Sequence, residues 1–426
     1  MCYFKDRMKL DELKNKKVLI LGFGREGQDT FLFLRKLFPK KVLGIADVKY
    51  KIQDTKYKIQ NVKWHLGKNY LNFLKDYDVV IKSPGIPFKI LPRSVLKKIV
   101  TQTDVFFDNC PGEIIGVTGT KGKSTTTSLI YEILKAGKIK AHLVGNIGKP
   151  VLNLLFSATP KDVYVYELSS HQLYNLKKSP HVAVMLNIYP EHLDYYRNFK
   201  EYAWAKSNIA LHQTKNDYLV FNSGDKVVRE IAGKTKAKKI PVKGEYYELD
   251  KNAARAVGKI FKIPGKIIDK AVKKFKYLPH RLELVETFRG ITFYNDALAT
   301  IPEATMAAIG TLGKKVQTIM LGGFDRNIDF KNLAKKVLES KIKTVILFPT
   351  TGIIIWKDIL KLSRGRGLPK NFFVSNMEDA VKLAYQHTKP GNICLLSTAS
   401  SSFSIFKNYE EKGNLFKKFV KKYGKK

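Results

Sequence analysis

Gly116-Val-Thr-Gly-Thr-Lys-Gly-Lys-Ser-Thr125 follows an apolar run and leads into Thr126-Thr-Ser-Leu-Ile-Tyr-Glu-Ile-Leu134. The order reads as a strand, a glycine-rich turn and the opening of a helix. Glycines in such a turn let backbone N–H groups curl around phosphate oxygens, Lys123 can reach terminal phosphates, and Ser124 offers a hydroxyl to Mg²⁺ at a helix N-terminus. The common phosphate-loop spacing would put glycine at position 117. This chain has Val117 there, between Gly116 and Gly119, so the loop is a compact variant, Gly119-Thr-Lys-Gly-Lys-Ser124.

Outside that stretch, apolar runs alternate with helical patterns along the whole chain, at residues 18–22, 41–46, 79–82, 114–118, 163–168, 182–186, 318–321, 344–348 and 393–396. This predicts an α/β protein whose parallel sheets are covered by helices. We expect three units: a Rossmann-like domain over 1–108, a central phosphate-loop ATPase-like domain over 109–277, and a Rossmann-like C-terminal domain over 278–426. A length of 426 residues suits that number, and a hydrophobic content of 44% argues against disorder.

Three scattered cysteines, Cys2, Cys110 and Cys394, indicate neither a disulfide framework nor a Cys-based zinc site. The N-terminus lacks the apolar core of a signal peptide, and no run long enough to span a bilayer occurs, so a soluble, cytoplasmic protein without membrane insertion is expected. The formal charge of +40 raises the possibility of a nucleic-acid-binding ATPase. Its lysines are spread over nearly every segment, however, and the densest groups, at 234–239 and 417–426, lack the interleaved aromatics of a stacking platform. No nucleic-acid partner is expected.

A second glycine-rich turn lies in the first unit, where Val18-Leu-Ile-Leu-Gly22-Phe-Gly24-Arg-Glu-Gly27 joins a strand to Gly-x-Gly-x-x-Gly, with Asp47 closing the next strand. Alone, it reads as a dinucleotide site, and an NAD-dependent oxidoreductase is then a rival function. An enzyme with one nucleotide-linked substrate and one nucleoside triphosphate would need both turns. Further on, Glu167 ends an apolar strand, where a carboxylate can reach a metal beside the phosphate loop. Glu191-His192-Leu-Asp194 follows, and Lys206 lies in the helix after it.

Thr118-Gly-Thr-Lys-Gly-Lys-Ser-Thr-Thr126, Glu167-Leu-Ser-Ser-His-Gln172, Glu191-His-Leu-Asp194, Pro279-His-Arg-Leu-Glu283 and Asn295-Asp296 together resemble the Mur ligases, ATP-dependent amide-forming enzymes that build the peptide stem of bacterial peptidoglycan. The resemblance covers essentially the whole chain. It is greatest to the members that add glutamate to UDP-N-acetylmuramoyl-L-alanine, through the N-terminal glycine motif, Lys82-Ser-Pro-Gly-Ile86, Leu321-Gly-Gly323 with Asp329-Phe330, and Leu395-Leu-Ser397 leading to Phe406-Lys-Asn-Tyr409. Folylpolyglutamate synthases lack the first domain, and the Asp-Asn-Pro motif of the diaminopimelate- or lysine-adding relatives is not found.

The resemblance implies an ATP-dependent ligase that adds D-glutamate to UDP-N-acetylmuramoyl-L-alanine through an acyl phosphate, working as a monomer. It implies that Gly24, Arg25, Glu26, Asp47, Ser83, Gly85, Asn146 and Gln172 bind the UDP-linked substrate, and that Gly119, Thr120, Lys121, Gly122, Lys123, Ser124, Thr125 and Asn252 bind ATP with Arg281 and Asp296. Ser124, Glu167, His192 and Lys206 would serve two Mg²⁺ sites, Lys206 as a carbamate formed with CO₂. Carbamylation turns a cation into an anionic oxygen ligand. Lys123, Glu167, His192, Lys206, Arg281 and Asp296 would form the catalytic set, completed as the third domain closes over ATP, and Thr300, Arg326, Ser402 and Tyr409 would bind glutamate.

The family's Asp-Ser-Lys-Ala-Thr-Asn is here Asp296-Ala-Leu298-Ala-Thr300-Ile301, which loses a lysine and an asparagine. Arg326 replaces the lysine expected after Leu-Gly-Gly, trading a point charge for a bidentate fork. The His-Asn-x-x-Asn adenine motif is reduced to Glu248-Leu-Asp-Lys-Asn252. Gly24-Arg-Glu-Gly27 and the Asp-x-x-Ala-Thr-x-Pro pattern also resemble a subgroup that adds L-glutamate, the alternative to the D-isomer.

Overall fold

The computed structural model describes residues 8–49, 60–145, 151–191, 195–244, 247–275, 279–326, 328–363 and 367–425. Three sheets organise the described residues. The first unites β1 (Val18–Leu21), β2 (Leu43–Asp47), β3 (Val62–Leu66), β4 (Val79–Lys82) and β5 (Ile99–Thr101) in the order β3-β2-β1-β4-β5, all parallel, with α1 (Arg25–Leu37) after β1 and α2 (Gln102–Asn109) after β5. The residues of β1 and β4 are buried throughout, as continuous apolar runs predict for strands covered on both faces. Strand order reverses at β1, so the crevice lies over the tips of β1 and β4, where the turn at Gly22 meets Ser83. A Cβ on Gly27 would run into the Gly22 carbonyl oxygen, so only glycine lets α1 start this close to β1.

The second sheet has the order β11-β10-β9-β6-β8-β7. It contains β6 (Glu113–Thr118), followed by α3 (Lys123–Ala136), then β7 (Ala141–Gly145), β8 (Val163–Glu167) with the short α4 (Ser170–Leu173), and β9 (Val182–Met185) with α5 (Phe199–Leu211). β10 (Tyr218–Asn222), α6 (Lys226–Ala232), β11 (Lys238–Val242), α7 (Tyr247–Ile260) and α8 (Gly265–Lys274) complete it. β6 is central, so the phosphate loop leaves the sheet between the tips of β8 and β9.

The chain packs as two compact units, one reaching Gly244 with Glu248–Lys274, the other Phe275–Lys426 with Glu245–Tyr247. The first two sheets therefore share a unit, and one apolar core runs through both. Phe106 of α2 sets its ring edge-on to Tyr164 and Tyr166 of β8, with centroids 5.2 and 5.8 Å away.

The second unit holds β12 (Glu283–Phe288), β13 (Ile291–Asn295), α9 (Pro302–Leu312), β14 (Val316–Leu321), α10 (Lys331–Glu339), β15 (Thr344–Leu347), α11 (Thr351–Ser363), β16 (Lys370–Phe373), α12 (Met377–His387), β17 (Ile393–Leu396) and α13 (Tyr409–Gly424). Its sheet order is β12-β13-β17-β14-β15-β16. Here the structure departs from an all-parallel expectation: β12 and β13 form an antiparallel hairpin. Arg289 and Gly290 both have positive φ, 52° and 74°, the geometry of a two-residue turn that matches strand twist.

Candidate active site

The phosphate loop is held from β9. Asn187 accepts the Thr120 N–H on its carbonyl at 2.7 Å and the Lys121 N–H on its side-chain oxygen at 2.8 Å, and its amide donates to the Lys121 carbonyl at 3.1 Å. Gly122 caps α3 at φ +86°, so Ser124, Thr125 and Thr126 enter the buried first turn of the helix. Thr126 donates to Asp250 of α7 at 3.0 Å. Lys123 Nζ lies 3.0 Å from the carbonyls of both Gly119 and Thr120, at the lip of the loop. Lys121 instead faces Glu191 in a 2.9 Å ion pair.

Parallel register brings Glu167 beside the loop, because Val117 of β6 pairs with it. Both Glu167 and Ser124 are buried. Among the described residues, no group of three or more His, Cys, Asp or Glu could hold a metal by itself. A hydroxyl and a carboxylate are the hard oxygen donors that suit Mg²⁺ when substrate phosphates supply the rest of its shell, so the donor chemistry fits. Lys206, on α5, is 1% exposed and donates to the Gly119 carbonyl at 2.9 Å, with Nζ 5.0 Å from the Tyr202 ring. Burial drives its pKa well down, and the charges of Lys123 and Lys121 add to this against Glu191 and Glu167. The amine is thereby held toward its neutral, nucleophilic form. His192 lies outside the described residues.

The nucleotide-sugar candidates gather at the crevice of the first sheet. Ser83 donates to the Gly22 carbonyl at 2.8 Å, joining the loops after β1 and β4. A Cβ on Gly24 or Gly85 would meet nothing within 4 Å, so both backbones border open space. Asp47 accepts the Phe23 N–H at 2.7 Å and the Lys49 N–H at 3.0 Å, which makes it a brace for the turn in addition to any ligand role. Glu26 turns inward and accepts from Gln172 of α4 at 3.0 Å. Asn146 lies outside the described residues.

In the second unit, Asp296 follows β13 and is buried, accepting the Ser397 hydroxyl at 2.8 Å and the Leu282 N–H at 3.1 Å. Burial raises its pKa to about 7 against those bonds and the charges of Arg281 and Lys412. Lys412, on α13, is buried too and donates to Thr398 at 2.6 Å. Thr300, Arg326 and Ser402 leave the tips of β13, β14 and β17, which are neighbours in the sheet, and a bridge from Phe324 to Ser401 ties the last two loops. Ser402 is buried and Arg326 exposed. Tyr409 opens α13 with its ring centroid 5.9 Å from that of His280. Asn252 donates to the Lys243 carbonyl at 2.8 Å and lines an open groove with Tyr218, Lys243 and Arg255. Sequence reasoning assigned no role to Asn187, Tyr202, Asp250 or Lys412. Asp250 alone stood within a quoted motif, Glu248-Leu-Asp-Lys-Asn252; the others carry no local signal.

Residues 117–271 match the family model of the Mur ligase middle domain, and residues 280–400 that of the Mur ligase glutamate ligase domain. A protein of Acetivibrio thermocellus named UDP-N-acetylmuramoylalanine--D-glutamate ligase is 34% identical over 458 residues, covering 96% of this chain and 97% of that one. This chain belongs to the Mur ligase family. The protein of the same name from Clostridium acetobutylicum is 33% identical over 453 residues, with 96% and 97% covered. The fold of this Mur ligase is also that of a MurF ligase from Thermotoga maritima solved in complex with ADP, with a TM-score of 0.60 at 16% identity over 97% of each chain. Family membership sets aside the oxidoreductase reading of the first glycine-rich turn. No helix among the described residues is long and apolar enough to cross a membrane.

Proposed function

We propose that this Mur ligase joins D-glutamate to UDP-N-acetylmuramoyl-L-alanine, converting ATP to ADP and phosphate, in cytoplasmic assembly of peptidoglycan precursors. The observation that carries the reading is the convergence of the phosphate loop, Glu167 and Lys206 at the tips of β6 and β8, with Lys206 Nζ 2.9 Å from the loop carbonyl of Gly119. Residues 1–108 would bind the UDP-linked substrate, 109–277 ATP, and 278–426 glutamate.

A carboxylate does not form an amide directly, because its oxygen leaves poorly. In the proposed sequence the alanine carboxylate oxygen attacks the γ-phosphorus in line and ADP departs, leaving an acyl phosphate. The amine of glutamate, as the free base, adds to the acyl carbon. Collapse of the tetrahedral adduct expels phosphate, and the amide nitrogen gives up its extra proton. Positioning and charge neutralisation dominate such chemistry. Lys123 would neutralise the transferring phosphoryl group while loop N–H groups hold it. Ser124 and Glu167 would hold Mg²⁺, with His192 and carbamylated Lys206 at a second site, and the chemistry supplied there is shielding of phosphate charge. Arg281, Asp296 and Asn252 are assigned to ATP. Arg326, with Thr300, Ser402 and Tyr409, is assigned to glutamate, its fork matching a carboxylate.

The test is ADP release from purified protein with UDP-N-acetylmuramoyl-L-alanine and each pure glutamate enantiomer. Release that requires both substrates and prefers the D-isomer is expected. Release independent of either substrate would overturn the ligase assignment, and preference for L-glutamate would select the alternative isomer.

A further inference from the structure

Glu26 stands in the first turn of α1, just past Gly24, an N-cap with no side-chain capping bond. An uncapped helix start beside open backbone is a favourable seat for a phosphate group. A carboxylate so near it is out of place as a ligand. The side chain does not face that seat: one oxygen accepts the Gln172 amide at 3.0 Å, and the other is buried with no hydrogen-bond partner among the described residues.

Gln172 is equally constrained. It is 2% exposed, and its own oxygen accepts the Ser169 N–H at 3.0 Å and the Ser169 hydroxyl at 3.1 Å, in the capping box that starts α4. The amide can therefore offer only its NH₂ to Glu26. One turn along α1, Asp29 accepts from Gln102 at 2.7 Å and from Asn153 at 2.9 Å. Near Glu26, buried Lys82 donates to the carbonyls of Ser83 at 3.0 Å and Ile86 at 2.8 Å, and Tyr195 donates to the carbonyls of Pro84 and Ile86. The Gln172 tie joins the start of α1 to the helix that follows the strand carrying Glu167, the Asn153 tie joins α1 to the segment before β8, and the Lys82 and Tyr195 bonds brace the crevice loop after β4.

We propose that Glu26 is a positioning residue for the UDP-linked substrate: turned inward, it holds the Gln172 amide and keeps its carboxyl off the α1 N-terminus when the diphosphate binds. This rests on the substrate assignment above. The groups facing Glu26 are Gln172 and Tyr166 from the second sheet, Lys82 from β4, and Asp29 and Arg25 from α1 itself. Burial is the largest influence and raises the Glu26 pKa to about 7, against the Gln172 bond and the charge of Lys82. Ionisation above that pH adds a negative charge beside the incoming diphosphate. Substrate affinity thus falls as pH rises through 7, and binding takes up a proton.

The experiment measures binding of UDP-N-acetylmuramoyl-L-alanine to the full chain by calorimetry at several pH values in two buffers of different ionisation enthalpy, alongside steady-state kinetics. If only the protonated form binds, wild-type affinity should fall by about two- to ninefold from pH 7 to pH 8, with net proton uptake on binding. Glu26→Gln keeps an acceptor for Gln172 and should show neither effect. Glu26→Ala should raise KM for this substrate about tenfold while kcat and KM for ATP change less than about twofold, a split that Glu26→Gln should rescue at pH 6.5. A pH dependence that persists in Glu26→Gln places the titration on another group, of which Lys82, pushed down by burial to about 7, is one, and overturns the proposal, as does an unchanged KM in Glu26→Ala. Failure of the wild type to bind this substrate at all overturns the substrate assignment instead.

Discussion

Gly122→Ala tests what closes the phosphate loop. Gly122 sits at φ +86°, where an L-residue costs about 1–2 kcal/mol. A methyl group there would also meet the Asp250 carboxylate and come within 3.0 Å of Leu186 Cδ1. Asp250 has little room to retreat, since it is 4% exposed and accepts Thr126 at 3.0 Å. Overpacking of that kind adds about 1–3 kcal/mol, so the substitution should destabilise the first unit by about 2–5 kcal/mol. Asp250→Ala alone strands a buried Thr126 hydroxyl, at a cost of about 1–3 kcal/mol. In the double variant the obstacle is gone and only the backbone penalty and the lost bond remain. It should therefore be about 1–3 kcal/mol more stable than the sum of the single effects. Urea unfolding of the four proteins, followed by tryptophan fluorescence, measures this cycle. Additivity within about 0.5 kcal/mol would refute the reasoning, because Asp250 would then not be what bars a side chain at position 122.

Lys206→Ala should abolish ligation and regain part of it when a small carboxylic acid is supplied in solution; near-normal turnover without rescue would remove Lys206 from the catalytic set. Asn187→Ala frees the Lys121 N–H and the side-chain brace on the loop, and should weaken ATP binding by about 5- to 30-fold, read as KM for ATP, with KM for glutamate unchanged. Arg326→Ala should raise KM for glutamate by about 10- to 100-fold and leave KM for ATP within twofold, whereas Arg326→Lys, which keeps the charge but loses the fork, should fall between. Equal KM for glutamate in all three proteins would place the amino acid elsewhere.

Every apolar run read as a strand is one: the run at 79–82 is β4, that at 163–168 contains β8, and that at 393–396 is β17. The strands that escaped notice lie mostly at sheet edges. β11, Lys-Lys-Ile-Pro-Val, carries lysines and a proline that keep an open edge from pairing further, and the same features erase its apolar signal. β3 and β16 are edge strands of the same mixed character. The β12–β13 hairpin was hidden because Arg289-Gly290 is not among the usual turn dipeptides, although its backbone takes the same conformation. Within the site, the loop and Glu167 were legible from motif and strand pattern and Lys206 from the family resemblance, and the structure brings them together. Asp250 and Tyr202 were not, since each reaches the loop from a separate helix.

By itself the sequence determined the two glycine-rich turns and the alternation of strand and helix, which follow from glycine spacing and apolar periodicity acting over a few residues. The side chains assigned to a carboxylate-activating ligase came instead from the resemblance to the Mur ligases. Only the tertiary structure decided that Glu26 turns away from the crevice to Gln172, that Lys206 is stripped of water beside Gly119, and that Asp250 closes against Gly122. Their partners come from far along the chain, and protonation and orientation depend on what burial brings alongside, which no local pattern encodes.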